Sequence, residues 1–201
     1  MIKSKGIKTY LYDSSGVTLV ELIVVVSIIG ILGLAGITSM SRRLPDYRLK
    51  AAVRELAGTI QSARVNAIRS NHPWSVVFNV EQERYFLCSD EGAADSCADA
   101  ASLQKEVNLD NYGKSGDIVF GWGAATKKAT SSGGAFSSGG EISYNGDRLI
   151  FNPGGMPPAS LFGGYVYLQN TLDNSMALGT VVTGGLHLKT WRTNDWVAKN
   201  E

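Results

Sequence analysis

Glu21 is the side chain whose chemistry most needs explaining. It is the only charged residue between Val17 and Met40, a stretch dominated by Val, Ile, Leu, Gly and Ala. A carboxylate held in hydrocarbon costs roughly 2.5–3.5 kcal/mol and calls for a partner of opposite charge. The other reactive residue types do not converge. His72 and His187 are the only histidines and lie far apart. Cys88 and Cys97 flank a short polar loop, Ser89 to Ser96, and could form a disulfide or half of a metal site. No second cysteine pair exists to complete a metal site. Asp110, Asp117 and Asp147 are scattered, and no nucleophile elbow is present. The glycine pairs Gly133-Gly134 and Gly139-Gly140 lack the strand-then-helix setting of a phosphate loop. The expectation is a protein that is not an enzyme, with no cofactor and no metal.

The elements that must position Glu21 follow from the apolar run. About 20 apolar residues at ~1.5 Å each cover the hydrocarbon core of a bilayer, so 17–40 is expected to span a membrane. The preceding Met1–Gly16 holds Lys3, Lys5 and Lys8 against Asp13. Positive charge before a span favours a cytoplasmic N-terminus, with the rest of the chain on the far side. A secretory signal peptide is the competing reading. Against it, the run is too long, and Gly16 precedes the run instead of following it. In an oxidising compartment, a disulfide between Cys88 and Cys97 is favoured over a metal pair. Without Met1–Gly16 the chain's 19 basic and 18 acidic residues fall to a net charge of −1, which is no electrostatic footprint for nucleic acid.

Gly16-Val17-Thr18-Leu19-Val20-Glu21 and the apolar run together resemble the N-terminal signal of type IV pilins and pseudopilins. Val17 departs from the Phe or Met usual in that family. The resemblance implies cleavage by a prepilin peptidase between Gly16 and Val17, N-methylation of Val17, and an assembly role for Glu21 opposite a neighbouring subunit's N-terminal amine. It implies four segments: 1–16 a leader, 17–40 a transmembrane and assembly helix, 41–71 an amphipathic continuation, and 72–201 a β-rich pilin domain. The implied partners are other pilin or pseudopilin subunits, the prepilin peptidase, an inner-membrane assembly platform and inner-membrane lipid. The implied location is the bacterial inner membrane, single-pass with a periplasmic domain, and then a filament. Gly30, Gly33 and Gly36 are spaced for helix packing, or mark a segment that unwinds on assembly.

Periodicity fills in the body. Pro45 is expected to kink or break the helix. Leu49, Val53, Leu56, Ile60, Ala63 and Ala67 recur at three and four, so an amphipathic helix should run to Ser70-Asn71, before Pro73. Trp74–Val80 and Arg84–Cys88 read as a hairpin. Lys105–Leu109, Ile118–Phe120, Arg148–Asn152, Tyr165–Gln169, Ala177–Val182 and Leu186–Trp191 read as further strands. Gly184-Gly185 reads as a two-residue turn, and Thr126–Gly140 as a mobile Gly/Ser loop. The fold expected is α+β: a long N-terminal α-helix, hydrophobic in its first half, packed on a C-terminal antiparallel β-sheet domain.

Two stretches resemble the GspH/FimT branch of these proteins. They are the helix end Ala63-Arg64-Val65-Asn66-Ala67 and the strand and turn Leu149-Ile150-Phe151-Asn152-Pro153-Gly154-Gly155. That branch implies a minor pilin of a type IV pilus, in a tip or initiation complex. Its alternatives are an H-type minor pseudopilin of type II secretion and a DNA-binding minor pilin in DNA uptake. Members of the last kind carry basic residues after a Gly-Arg pair. Here the stretch is Gly184-Gly185-Leu186, the arginine is missing, and Lys189 and Arg192 are the nearby cations that could touch nucleic acid.

Overall fold

The computed structural model describes residues 16–137, 139–159 and 164–198, the side chains of 34–42 excepted. The expected leader, apart from Gly16, lies outside them, as does the side-chain setting of Gly36. The chain divides into two compact units between Arg42 and Arg43. The first is helical from the start of α1 (Leu19–Ser70). Its apolar side chains face outward on every side. Leu19, Leu22, Val26, Ile29 and Leu32 are all more than half exposed. Such a helix has no face suited to water. Among the described residues no helix is long and apolar enough to cross a membrane. Of the expected span 17–40, side chains are described only as far as Gly33.

In the second unit α1 supplies one buried stripe: Leu49, Val53, Leu56, Ile60, Ala63 and Ala67, joined by Ala52 and Thr59. These positions recur at three and four, as one face of a helix must. Pro45 lies inside α1 and does not break it. A proline removes one hydrogen bond and crowds one carbonyl, at about 3 kcal/mol. Packing of Leu49, Ala52, Val53 and Leu56 just beyond it keeps the backbone helical. The C-terminus is closed by Asn71 at φ 50°, with the His72 N–H donating to the Ala67 carbonyl at 3.3 Å. This left-handed cap ends the helix ahead of Pro73.

The helix lies on two antiparallel sheets where one was expected. The first, ordered β3-β2-β1-β5, contains β1 (Trp74–Asn79), β2 (Arg84–Cys88), β3 (Leu103–Asn108) and β5 (Arg148–Phe151). The second, ordered β4-β6-β7-β8-β9, contains β4 (Ile118–Phe120), β6 (Tyr165–Asn170), β7 (Ser175–Thr180), β8 (Leu186–Arg192) and β9 (Asp195–Ala198). The split occurs because a 3-10 turn at Leu109–Tyr112 diverts the chain after β3, and β4 then pairs with β6. β9 was not expected. The turn at Gly184 also differs. Val181 N–H donates to the Gly185 carbonyl, leaving a three-residue loop that ends on Gly184 at φ 77°.

The sheets share one core with the helix. Phe78 on β1 lies at its centre, with ring centroids 6.1 Å from Phe120 on β4, 6.3 Å from Tyr144 and 6.4 Å from Tyr85 on β2. Alternation sends Val166, Leu168, Met176 and Leu178 of the second sheet into this core. Tyr167 and Ala177 point to its other face, where they form a smaller cluster with Ala129, Trp122, Phe136 and Trp196. The described part of the Gly/Ser segment is therefore no free loop. It is laid across this outer face, with Phe136 stacked on Trp122 at 4.4 Å.

Cys88 and Cys97 are joined in a disulfide. Replacing both by serine should cost about 2–3 kcal/mol, the range for so short a closed loop. Urea unfolding of the oxidised wild type beside the Cys88→Ser/Cys97→Ser variant measures it. Equal midpoints would show that the bond adds nothing to stability.

Candidate functional site

Gly16 and Val17 lie outside any regular element, just ahead of α1, and are exposed. A Cβ built on Gly16 would meet nothing within 4 Å, so packing does not explain the glycine. Thr18 caps the helix: its Oγ1 accepts from the Glu21 N–H at 3.2 Å. Thr18-x-x-Glu21 therefore has the spacing of a capping box. The Glu21 carboxylate is exposed in the first helical turn, and the cap uses its backbone, not its side chain. Gly30 and Gly33 likewise meet nothing in their own chain. The segment thus presents a cuttable peptide, one carboxylate and an apolar surface open to a neighbour.

The two stretches that resemble the GspH/FimT branch meet each other, which sequence reasoning did not foresee. Arg64 Nε donates to the Gly155 carbonyl at 3.0 Å, and its second nitrogen donates to the Thr183 carbonyl at 2.9 Å. Gly155 (φ 72°) and Gly184 (φ 77°) let the two loops converge. A Cβ on Gly155 would lie 2.6 Å from Ile68 Cδ1, and one on Gly184 would clash with the Gly155 oxygen. The arginine is thus a clamp between the helix end and two loops. Three more ties hold the helix. Asp46 accepts from Asn170 and Asn174, Arg48 pairs with Asp117, and Glu55 binds Lys105 and Tyr112. The Lys105 and Tyr112 hydrogen bonds hold the Glu55 carboxyl below its usual range.

The two candidate nucleic-acid contacts differ. Lys189 Nζ donates to the Ala129 carbonyl at 2.6 Å and sits 5.2 Å from the Tyr165 ring centroid. It is bound into the outer-face cluster. Trp196 belongs there too, its Nε1 donating to the Lys127 carbonyl at 2.6 Å. Arg192 is exposed. Among the described residues no group of three or more His, Cys, Asp or Glu side chains could hold a metal ion.

One titratable group was missed entirely. Glu83 ends the β1–β2 turn at φ 49°. Its carboxylate accepts from the Phe120 N–H at 2.7 Å and its carbonyl accepts from the Leu109 N–H at 2.9 Å. It so ties the first sheet to β4 of the second. Burial, opposed by the Phe120 hydrogen bond and reinforced by Asp110 and Glu141, raises its pKa to about 7. The folded state therefore holds a proton here that the unfolded state releases near 4.5. This stability is present below about pH 4.5 and lost as pH rises through about 7. At ~1.36 kcal/mol per pKa unit, and discounted for partial exposure, that is about 1–2 kcal/mol. Glu83→Gln should match wild type near pH 4.5 and exceed it by that amount at pH 8. Thermal melts across the range test this, and a Gln variant whose stability still falls by as much would assign the proton elsewhere.

An exposed apolar helix, capped just after an accessible glycine, leads into an α+β domain. Residues 12–37 match the model of the prokaryotic N-terminal methylation motif. The match covers Gly16, Val17 and Glu21 and supports a type IV pilin-like subunit, processed by prepilin peptidase and assembling with other pilin subunits. Comparison with curated proteins found no match, and neither did comparison with solved structures.

Proposed function

We propose that this chain is a minor pilin-like structural subunit of a type IV pilus, working in a tip or initiation complex. The carrying observation is the methylation motif lying in register with Gly16 and Glu21 on an outward-facing apolar helix. In this reading the helix is stored in the inner membrane, with the domain in the periplasm, and the assembly platform transfers it to a filament. The membrane relieves the exposure of Leu19 to Leu32, and neighbouring pilin helices relieve it afterwards. The chain performs no catalysis. An H-type pseudopilin of type II secretion is the alternative branch. A DNA-uptake role is disfavoured by Lys189, whose ammonium already has a carbonyl and a ring as partners.

Mass spectrometry of the mature protein is the direct test. It should show a chain beginning at N-methylated Val17, and any other start would refute the processing. A deletion strain scored for surface pili, twitching and exoprotein secretion then separates the branches. Lost secretion with intact pili would replace the pilus reading by the secretion one.

A further inference from the structure

A groove of about 650 Å³ runs between α1 and strands β7–β9, floored by Val53, Ala57, Leu178, Leu186 and Leu188. It lies beside a second hollow of about 590 Å³ lined by Tyr47, Lys50, Arg54 and Arg192. Arg54 lines both. Lys50, Arg54 and Arg192 make no ion pair among the described residues. Asp46 lines a third, smaller hollow beside Lys50 and Arg192, with its Oδ1 taken by Asn170 and Asn174. The surface is apolar at the floor and positive at the rim.

The opposite charge is concentrated elsewhere on the same chain. From Ser89 to Gln104 there are four carboxylates, Asp90, Glu91, Asp95 and Asp99, and no lysine or arginine. Glu91 and Asp95 are exposed, as are the small apolar Ala94 and Ala98. The segment is fixed before it meets anything. The disulfide closes it, and Asp90 accepts from the N–H groups of Gly92 at 2.7 Å and Asp99 at 3.1 Å. Arg148 donates to the Gly92 carbonyl. A loop held in one shape loses little further entropy on docking.

We infer that the groove between α1 and β8–β9 of one copy receives the acidic disulfide loop, residues 89–99, of a second copy. Donor and acceptor are different patches of one chain, so the contact is head-to-tail and stacks successive copies of the subunit within the tip complex instead of closing them as a pair. The inference rests on the filament reading and adds to it which surfaces of the globular units touch.

The test is cross-linking of full-length chains in cells. Arg54→Cys and Asp95→Cys, each in a separate tagged copy, should give a non-reducing heterodimer. Lys114→Cys paired with Asp95→Cys should not. Charge reversal provides a second arm without new thiols. Lys50→Glu/Arg54→Glu should lower chemical cross-linking between copies about tenfold, and Glu91→Lys/Asp95→Lys in the other copy should restore it. No heterodimer, equal yield with Lys114→Cys, capture of only other proteins, or no restoration would each overturn the contact. Methylation of Val17 is measured in the same cells. Its presence with no cross-link counts against the contact alone, and its absence counts against the filament reading.

Discussion

A chain carrying Glu21→Val is expected to reach the membrane at the wild-type level and to fall at least tenfold in sheared filaments. The fold gives the substitution little to disturb. Glu21 is exposed, and the capping hydrogen bond comes from its backbone N–H, which valine keeps. The effect therefore falls on assembly. Between packed apolar helices a lone carboxylate is penalised and so is a lone amine, whereas the two together attract strongly. In the filament we propose, Glu21 of one subunit faces the methylated amine of another, and that pair sets the axial register of an incoming subunit. Glu21→Gln separates charge from shape, since it keeps the size and removes the charge, and should fail as valine does. Quantitative immunoblots of membrane and sheared fractions read both. Entry of Glu21→Val at the wild-type level would remove Glu21 from the mechanism.

Phe78→Ala should cost about 3–5 kcal/mol, a large share of a typical total of 5–15 kcal/mol. Phe78 is fully buried, and its ring meets Tyr85 in its own sheet and Phe120 and Tyr144 on the side of the other. Truncation leaves a cavity bounded by three aromatic rings held on β2, on β4 and in the bend ahead of β5, which cannot collapse together. Most of the transfer and cavity terms should then appear. For a unit of this size each kcal/mol moves the melting temperature by about 2–4 °C, so a fall of roughly 10 °C is expected by circular dichroism. Phe78→Leu, which keeps most of the volume, should recover over half of it. An unchanged melt for Phe78→Ala would mean that the two sheets do not depend on this contact.

The helix and its buried stripe were legible because period carries them. Every apolar position from Leu49 to Ala67 assigned to the inner face is buried. The hairpin at Trp74 was legible from two strand-like runs across Glu81-Gln82-Glu83, and the Cys88–Cys97 bond from two cysteines flanking a short loop. The second sheet was not, because nothing in the strand pattern says which strands pair. That is decided by the 3-10 turn at Leu109 and by Glu83 fastening onto β4. β9 was hidden by its turn. Thr193 and Asn194 both adopt positive φ, at 49° and 67°, where threonine is an unusual choice. The apparent freedom of Thr126–Gly140 was misread from composition, since Phe136 and Ala129 find partners on a sheet face that the sequence does not announce. At the candidate site, Gly16, Val17 and Glu21 stood out by resemblance, while the Arg64 clamp needed two loops far apart in sequence to meet.

The pairing of β1 with β5 brings Trp74 against Phe151. The second sheet, by contrast, zips mostly from neighbours, with β6 through β9 joined by successive hairpins. Distant closures are slow, because chain entropy must be lost before any contact repays it. Newly made chains should therefore complete the β6–β9 meander first and seat β5 last. Until β5 arrives, one edge of β1 stays unpaired, an open template for another strand. Crowded chains are most exposed to mispairing during that interval, and the time β5 takes to dock sets how long the hazard lasts.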